Sequence, residues 1–179
     1  MKYIARLLPV AILLAVLLTG CGVGSTATNP PASGSHQFGV QTKTSGCQAS
    51  DGLPDSACTP GAIFASATTT QICQSGYSSS VRNVPTSEKD QAYAEYGIAS
   101  RSTGQYEVDH LVSLELGGSN DIANLWPELA SPTPGFHQKD QVENYLHDQV
   151  CAGKVPLAQA QQEIATNWLS VYQQMQSGG

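Results

Sequence analysis

Positive charge is scarce in this sequence. Only 8 of its 179 residues are Lys or Arg, against 14 Asp or Glu. An acidic surface repels phosphate backbones at long range. That argues against tight, sequence-independent nucleic-acid binding through basic patches. It leaves room for a small site where one divalent cation supplies the local positive charge. No Cys-x-x-Cys pair occurs, which disfavours a zinc ribbon. No internal repeat is found. The one long apolar run, Leu7 to Leu18, is too short and too abruptly ended to span a membrane comfortably.

That run has another reading. Lys2 and Arg6 precede it and small residues follow, the layout of a secretory signal over residues 1–20. Its end, Leu18-Thr19-Gly20-Cys21, resembles the lipobox of bacterial lipoproteins. The resemblance implies cleavage before Cys21, lipidation of that residue, and an exported protein anchored to a bacterial membrane, facing the periplasm or the exterior. Without residues 1–20 the chain keeps 6 basic and 14 acidic residues, a formal charge of −8.

Export sets the redox compartment. Besides Cys21 there are Cys47, Cys58, Cys73 and Cys151, an even set that suggests two disulfides with three possible pairings. Cys47–Cys58 with Cys73–Cys151 is favoured, since it ties the front of the domain to its C-terminal helices. A Cys58–Cys73 bridge is the close competitor.

Residues 21–46 follow as the lipidated cysteine and a Gly/Ser/Thr/Pro-rich tether, to which His36 belongs without a role. Residues 47–179 form one domain. Its first part, to residue 86, is loop-rich, with a short strand-like "TTTQIC". "TSEKDQAYAEYG" predicts a helix capped by Ser87 and closed by Gly97. "QYEVDHLVSLELGG" predicts strand. Val108, Leu111 and Leu114 do not alternate strictly, so a bend or bulge is expected near Asp109 and His110. A helix is predicted from about Pro134 to Gly153, with Val142, Tyr145, Leu146 and Val150 as its apolar stripe. A last amphipathic helix carries Leu157, Ala160, Ile164, Trp168, Val171 and Met175 on its core face. Trp126 and Trp168 are expected in the core.

The order short hairpin, loop, helix places polar residues at the joins: Asp109 and His110, then Asn124, then His137, Lys139 and Asp140. "EVDHLVSLELGG…NLW…FHQKD" resembles the HNH endonucleases, whose site is a ββα-metal finger. The match covers residues 106–140. The wider set "ACTPGA", "QICQSGY", "KDQVEN", "VCAG" and "AQQEIATNW" resembles a group of small exported bacterial proteins with the same signature. The resemblance implies an α+β fold: a small ββα-metal hairpin-plus-helix core, an additional C-terminal helix and a disulfide-held, loop-rich N-terminal part.

It also implies roles. His110 would be the general base, for which an imidazole suits because its unperturbed pKa lies near neutrality. Asn124 would orient His110. Asp109 and His137 would hold a divalent metal, Mg²⁺ or Mn²⁺ first, Zn²⁺ or Ca²⁺ as alternatives. On an ideal strand Asp109 points away from His110, so a local bend must bring the two together. Lys139 would steady the scissile phosphate. Asp140 shares a helix face with His137 and is a rival ligand, with Asn144 also nearby. Arg82 would either hold phosphate or form a structural salt bridge. His147 reads as a surface histidine, and Glu143 as a packing or capping residue. The implied activity is metal-dependent endonucleolytic hydrolysis, with DNA favoured over RNA and little sequence preference. The alternative is a ββα-scaffold lipoprotein whose site is weakened or lost and whose role is binding or structure.

Overall fold

The computed structural model describes residues 36–178. The signal segment, Cys21 and most of the tether lie outside the described residues.

Among them the fold is α+β. Helices α1 (Thr69–Ile72), α2 (Tyr77–Val81) and α3 (Thr86–Glu95) precede strand β1 (Tyr106–His110). After the 3₁₀ turns Leu114–Leu116 and Ile122–Asn124 come β2 (Leu125–Leu129), α4 (Phe136–Cys151) and α5 (Leu157–Gln176). The two strands pair antiparallel, Tyr106 opposite Leu129 through His110 opposite Leu125.

The two long helices form where apolar residues recur at three and four positions. Val142, Leu146 and Val150 of α4 meet Ala160, Ile164, Trp168 and Val171 of α5 in one core, joined by Ile72, Leu111, Val112, Leu116 and Trp126. Leu157 and Met175 pack partly buried against it, while Tyr145 stays exposed. Burying a side chain such as Ile164 contributes roughly 1.5–3 kcal/mol. Trp168 satisfies its ring N–H on the Gly52 carbonyl at 2.8 Å. Gly135 sets the start of α4 because a Cβ there would lie 2.3 Å from the Leu129 carbonyl oxygen. Gly153, at φ 69°, follows its end.

Both favoured disulfides are present, Cys47–Cys58 and Cys73–Cys151. The second joins the residue after α1 to the last residue of α4.

Several expectations change. "TTTQIC" is helical, because Thr68 and Gln71 cap each other reciprocally and this outweighs the β-preference of a threonine run. In α3, Ser87 lies inside the helix; the N-cap is Pro85, with no side-chain cap. The strand expected over 105–116 stops at His110. Leu111, Val112, Ser113 and Leu114 are all buried, which an alternating strand cannot achieve, and the Asn124 side chain bonds both the N–H and the carbonyl of Val112 in place of a ladder. The expected bend comes directly after His110, at Leu111 and Val112, and no bulge interrupts the register through Asp109 and His110. The boundary at residue 46 moves as well. Phe38 packs on the core and the His36 N–H donates to Gln162 Oε1 at 2.8 Å, so residues 36–46 lie on the domain.

Candidate functional site

An unbroken strand sends neighbouring side chains to opposite faces. Asp109 and His110 are therefore separated by the hairpin, and each face has its own chemistry.

On one face His110 is 2% exposed. Its Nε2 lies 3.2 Å from Oδ1 of Asn120. The Nδ2 of Asn120 donates to the Val81 carbonyl at 2.7 Å, which fixes which end of the amide meets the ring. An amide oxygen accepts, so the ring proton sits on Nε2 and the lone pair on Nδ1. Burial, only partly offset by the Asp109 carboxylate and the Asn120 hydrogen bond, lowers the imidazole pKa to about 4. His110 is thus neutral at physiological pH and can accept a proton.

The cleft at His110 has a volume of about 430 Å³, with Arg82, Lys89, Tyr93, Tyr106 and Glu107 among its walls. The Arg101 guanidinium stacks 3.5 Å from the centre of the Tyr93 ring. Arg82, Lys89 and Arg101 are three of the 6 basic residues that follow residue 20. In so acidic a chain, that gathers scarce positive charge where an anion would meet His110. Arg82 takes part in no salt bridge among the described residues. Burial, with the nearby Asp109 and Asp140 carboxylates, raises the pKa of Glu107. A larger hollow of about 820 Å³ borders Tyr96, Ile98, Pro134 and Leu169, but no imidazole or basic side chain lines it.

The opposite face is crowded but not closed: the Asp109 and Glu143 side chains keep 13% and 15% exposure. Lys139 of α4 is fully buried. Its ammonium donates to Asp109 Oδ2 at 2.8 Å, the His110 carbonyl at 2.8 Å and Glu143 Oε1 at 2.5 Å. The other Glu143 oxygen accepts from Ser113 Oγ at 2.8 Å. Asp109 Oδ1 accepts from the His110 N–H at 2.7 Å. Glu128, 2% exposed, has no hydrogen-bond donor on either carboxyl oxygen. Burial therefore pushes its pKa up to about 10, and it stays protonated beside Asp109. Burial also raises Asp109, but the Lys139 charge outweighs it and the net shift is downward. Glu143 is raised to about 7 by burial against the pull of Lys139. Lys139 itself is pushed up: its carboxylate neighbours, Asp109 first, outweigh burial.

The residues expected at the site are thus distributed. His110 faces the cleft and Asp109 the crowded cluster. Asn124 does not meet His110. It is wholly buried and braces the backbone at Val112, Ser119 and Ala62; Asn120 makes the expected contact with His110. Lys139 reaches no substrate surface, and Arg82 and Lys89 stand in the cleft instead. His137 is exposed, its ring 4.2 Å from that of Phe136. Asp140, also exposed, is raised by partial burial and by the Asp109 charge.

Among the described residues, the group of three or more His, Cys, Asp and Glu side chains whose ligand atoms close to within 4.8 Å is Cys73, His147 and Cys151, and neither Asp109 nor His137 belongs to it. That group could hold a metal, yet two of its members are joined as a disulfide and offer no thiolate. Its imidazole Nε2 lies 3.1 Å from the Ile72 carbonyl. The residues present therefore do not fit a divalent ion shared by Asp109 and His137, because an ammonium already holds Asp109. Asn120, Lys89, Glu128 and the place of Glu143 in the cluster escaped sequence reading. The one available signal was the i,i+4 pair of Lys139 and Glu143.

No protein-family model, no curated protein and no solved structure matches this chain.

Proposed function

We propose that the protein hydrolyses phosphodiester bonds as a nuclease, with His110 as general base and Arg82 and Lys89 binding the phosphate. The observation that carries this reading is a neutral, tautomer-fixed imidazole at a cleft where the chain concentrates its few exposed cations. A water bound against His110 Nδ1 gives its proton to the ring as its oxygen attacks phosphorus; the phosphorus–oxygen bond to the leaving group breaks, the departing alkoxide takes a proton from solvent, and the imidazolium returns its own to solvent. Arg82 and Lys89 lower the energy of the negative charge that gathers on the phosphoryl oxygens. An imidazole with a pKa near 4 is a weak base, but a phosphate anion beside it favours the imidazolium and raises that value on binding.

The hairpin followed by α4, with Asp109 and His110 on β1, supports the likeness to the HNH endonucleases and a ββα core. No step runs through a metal ion, since the donor set at Asp109 does not fit one. DNA is the favoured polymer. The two disulfides favour an oxidising compartment, which supports export, and the segment ending at Cys21 supports a lipid anchor.

The purified full chain is expected to cut plasmid DNA and a small aryl phosphodiester. His110→Ala is expected to lower the rate by at least about 100-fold, the scale of a general base, with an unchanged circular dichroism spectrum. The second reading, a scaffold that binds without cutting, draws on the chain's acidity and the low basicity of His110. Binding of DNA by a wild type that never cleaves it favours that alternative.

A further inference from the structure

We propose that the Lys139 ammonium acts as a tethered cation at Asp109, filling the place a divalent ion would take, so that the hairpin's charge centre is complete without a metal. The proposal rests on the geometry of the crowded face and does not depend on the nuclease reading.

The cradle is built from hard-cation ligands. Asp109 Oδ2, Glu143 Oε1 and the His110 carbonyl oxygen surround Nζ at 2.5–2.8 Å, and carboxylates and backbone carbonyls are what Mg²⁺, Mn²⁺ or Ca²⁺ prefer. An ammonium has three donors, and Lys139 uses all three on these oxygens. The second Asp109 oxygen is engaged by the His110 N–H, and the second Glu143 oxygen by Ser113. Glu128 adds a further carboxyl group, buried and without a donor. Lys139 has no solvent-accessible side chain while Asp109 keeps 13% exposure, so an ion that takes Asp109 Oδ2, Glu143 Oε1 and the His110 carbonyl together must expel a buried ammonium from all three. The cluster also grips the His110 main chain from both sides, at its N–H through Asp109 and at its carbonyl through Lys139. Asp109 and Lys139 are therefore positioning residues for His110. For the proposed activity, the cation that holds this segment is covalently part of the chain.

The proposal predicts that removing the ammonium creates a divalent site. In the full chain, Mn²⁺ is expected to leave the wild-type Tm unchanged and to give no calorimetric binding lost with Asp109→Asn. In Lys139→Ala, which vacates the cradle, Mn²⁺ at about ten times its Kd is expected to raise the Tm by about 4 °C. That gain should disappear in Lys139→Ala/Asp109→Asn. Wild-type Mn²⁺ binding that is lost with Asp109→Asn overturns the proposal. So does a folded Lys139→Ala that binds none of Mn²⁺, Mg²⁺ and Ca²⁺. Should Lys139→Ala be unfolded without metal, refolding by Mn²⁺ supports the proposal and a chain that no divalent ion refolds contradicts it. None of these readouts uses catalysis, so a protein that never cleaves DNA leaves the test intact.

Discussion

Asp109 and His110 are adjacent in the chain and belong to opposite environments. His110 borders an open cleft with cations on its walls. Asp109 lies, 13% exposed, in a cluster of three carboxyl groups around one buried ammonium. The difference shows how a two-residue signature divides its labour on a regular strand. One member faces the cleft, and the other anchors the strand to the helix behind it. Chemistry assigned to the pair as a unit is then misplaced by one face.

Substitutions on the two faces should separate cleanly. The largest effect is expected on the crowded face. Lys139→Met removes the only cation from a cluster of buried carboxyl groups, and breaking such a pair costs about 3–5 kcal/mol. Urea unfolding should show it, whereas His137→Ala, an exposed neighbour on the same helix, should change stability by less than about 0.5 kcal/mol. Equal losses in the two variants would erase the distinction between them. The next effect compares two asparagines. Asn124→Ala strands the Val112 and Ala62 amides and should cost about 1–3 kcal/mol of stability. Asn120→Ala should be milder on stability and instead lower kcat, with a displaced pH–rate profile, because it frees the His110 ring.

The last comparison is in pH. His110 is depressed to about 4, so its contribution to stability is present above 6.5 and lost as pH falls toward 4. Glu128 is raised to about 10, so its contribution is present below 4.5 and lost as pH rises toward 10. Glu143, raised to about 7, adds a second falling slope, so between pH 4.5 and 6.5 the His110 slope offsets one of two carboxyl slopes and the Tm should fall gently, while the decline above 7 belongs to Glu128. Glu128→Gln should flatten that alkaline limb; a limb of unchanged slope would remove Glu128 as its source.

Much of the frame was legible from pattern. The three- and four-residue spacing of Val142, Leu146, Ile164 and Trp168 marks the two long helices and their shared core. The even set Cys47, Cys58, Cys73 and Cys151 marked the disulfides. The segment after His110 was not legible, since Leu111, Val112 and Leu114 read as strand by propensity yet fold as turns buried on all sides. Their backbone is satisfied by a side chain, Asn124, that no periodicity reveals. "SNDIAN" holds two asparagines four residues apart, and only the turn Ile122–Asn124 decides which one reaches His110. Lys139 reads as a solvated helix lysine until Asp109 and Glu143 close over it.

The central claim is that the open, cationic face does the chemistry through His110. The direct test is the hydrolysis rate of a phosphodiester by the full chain, wild type against His110→Ala, with both shown by circular dichroism to be folded. The account predicts measurable turnover in the wild type and a loss of at least about 100-fold in the variant. Equal rates in the two proteins, or no turnover in the wild type, would contradict it.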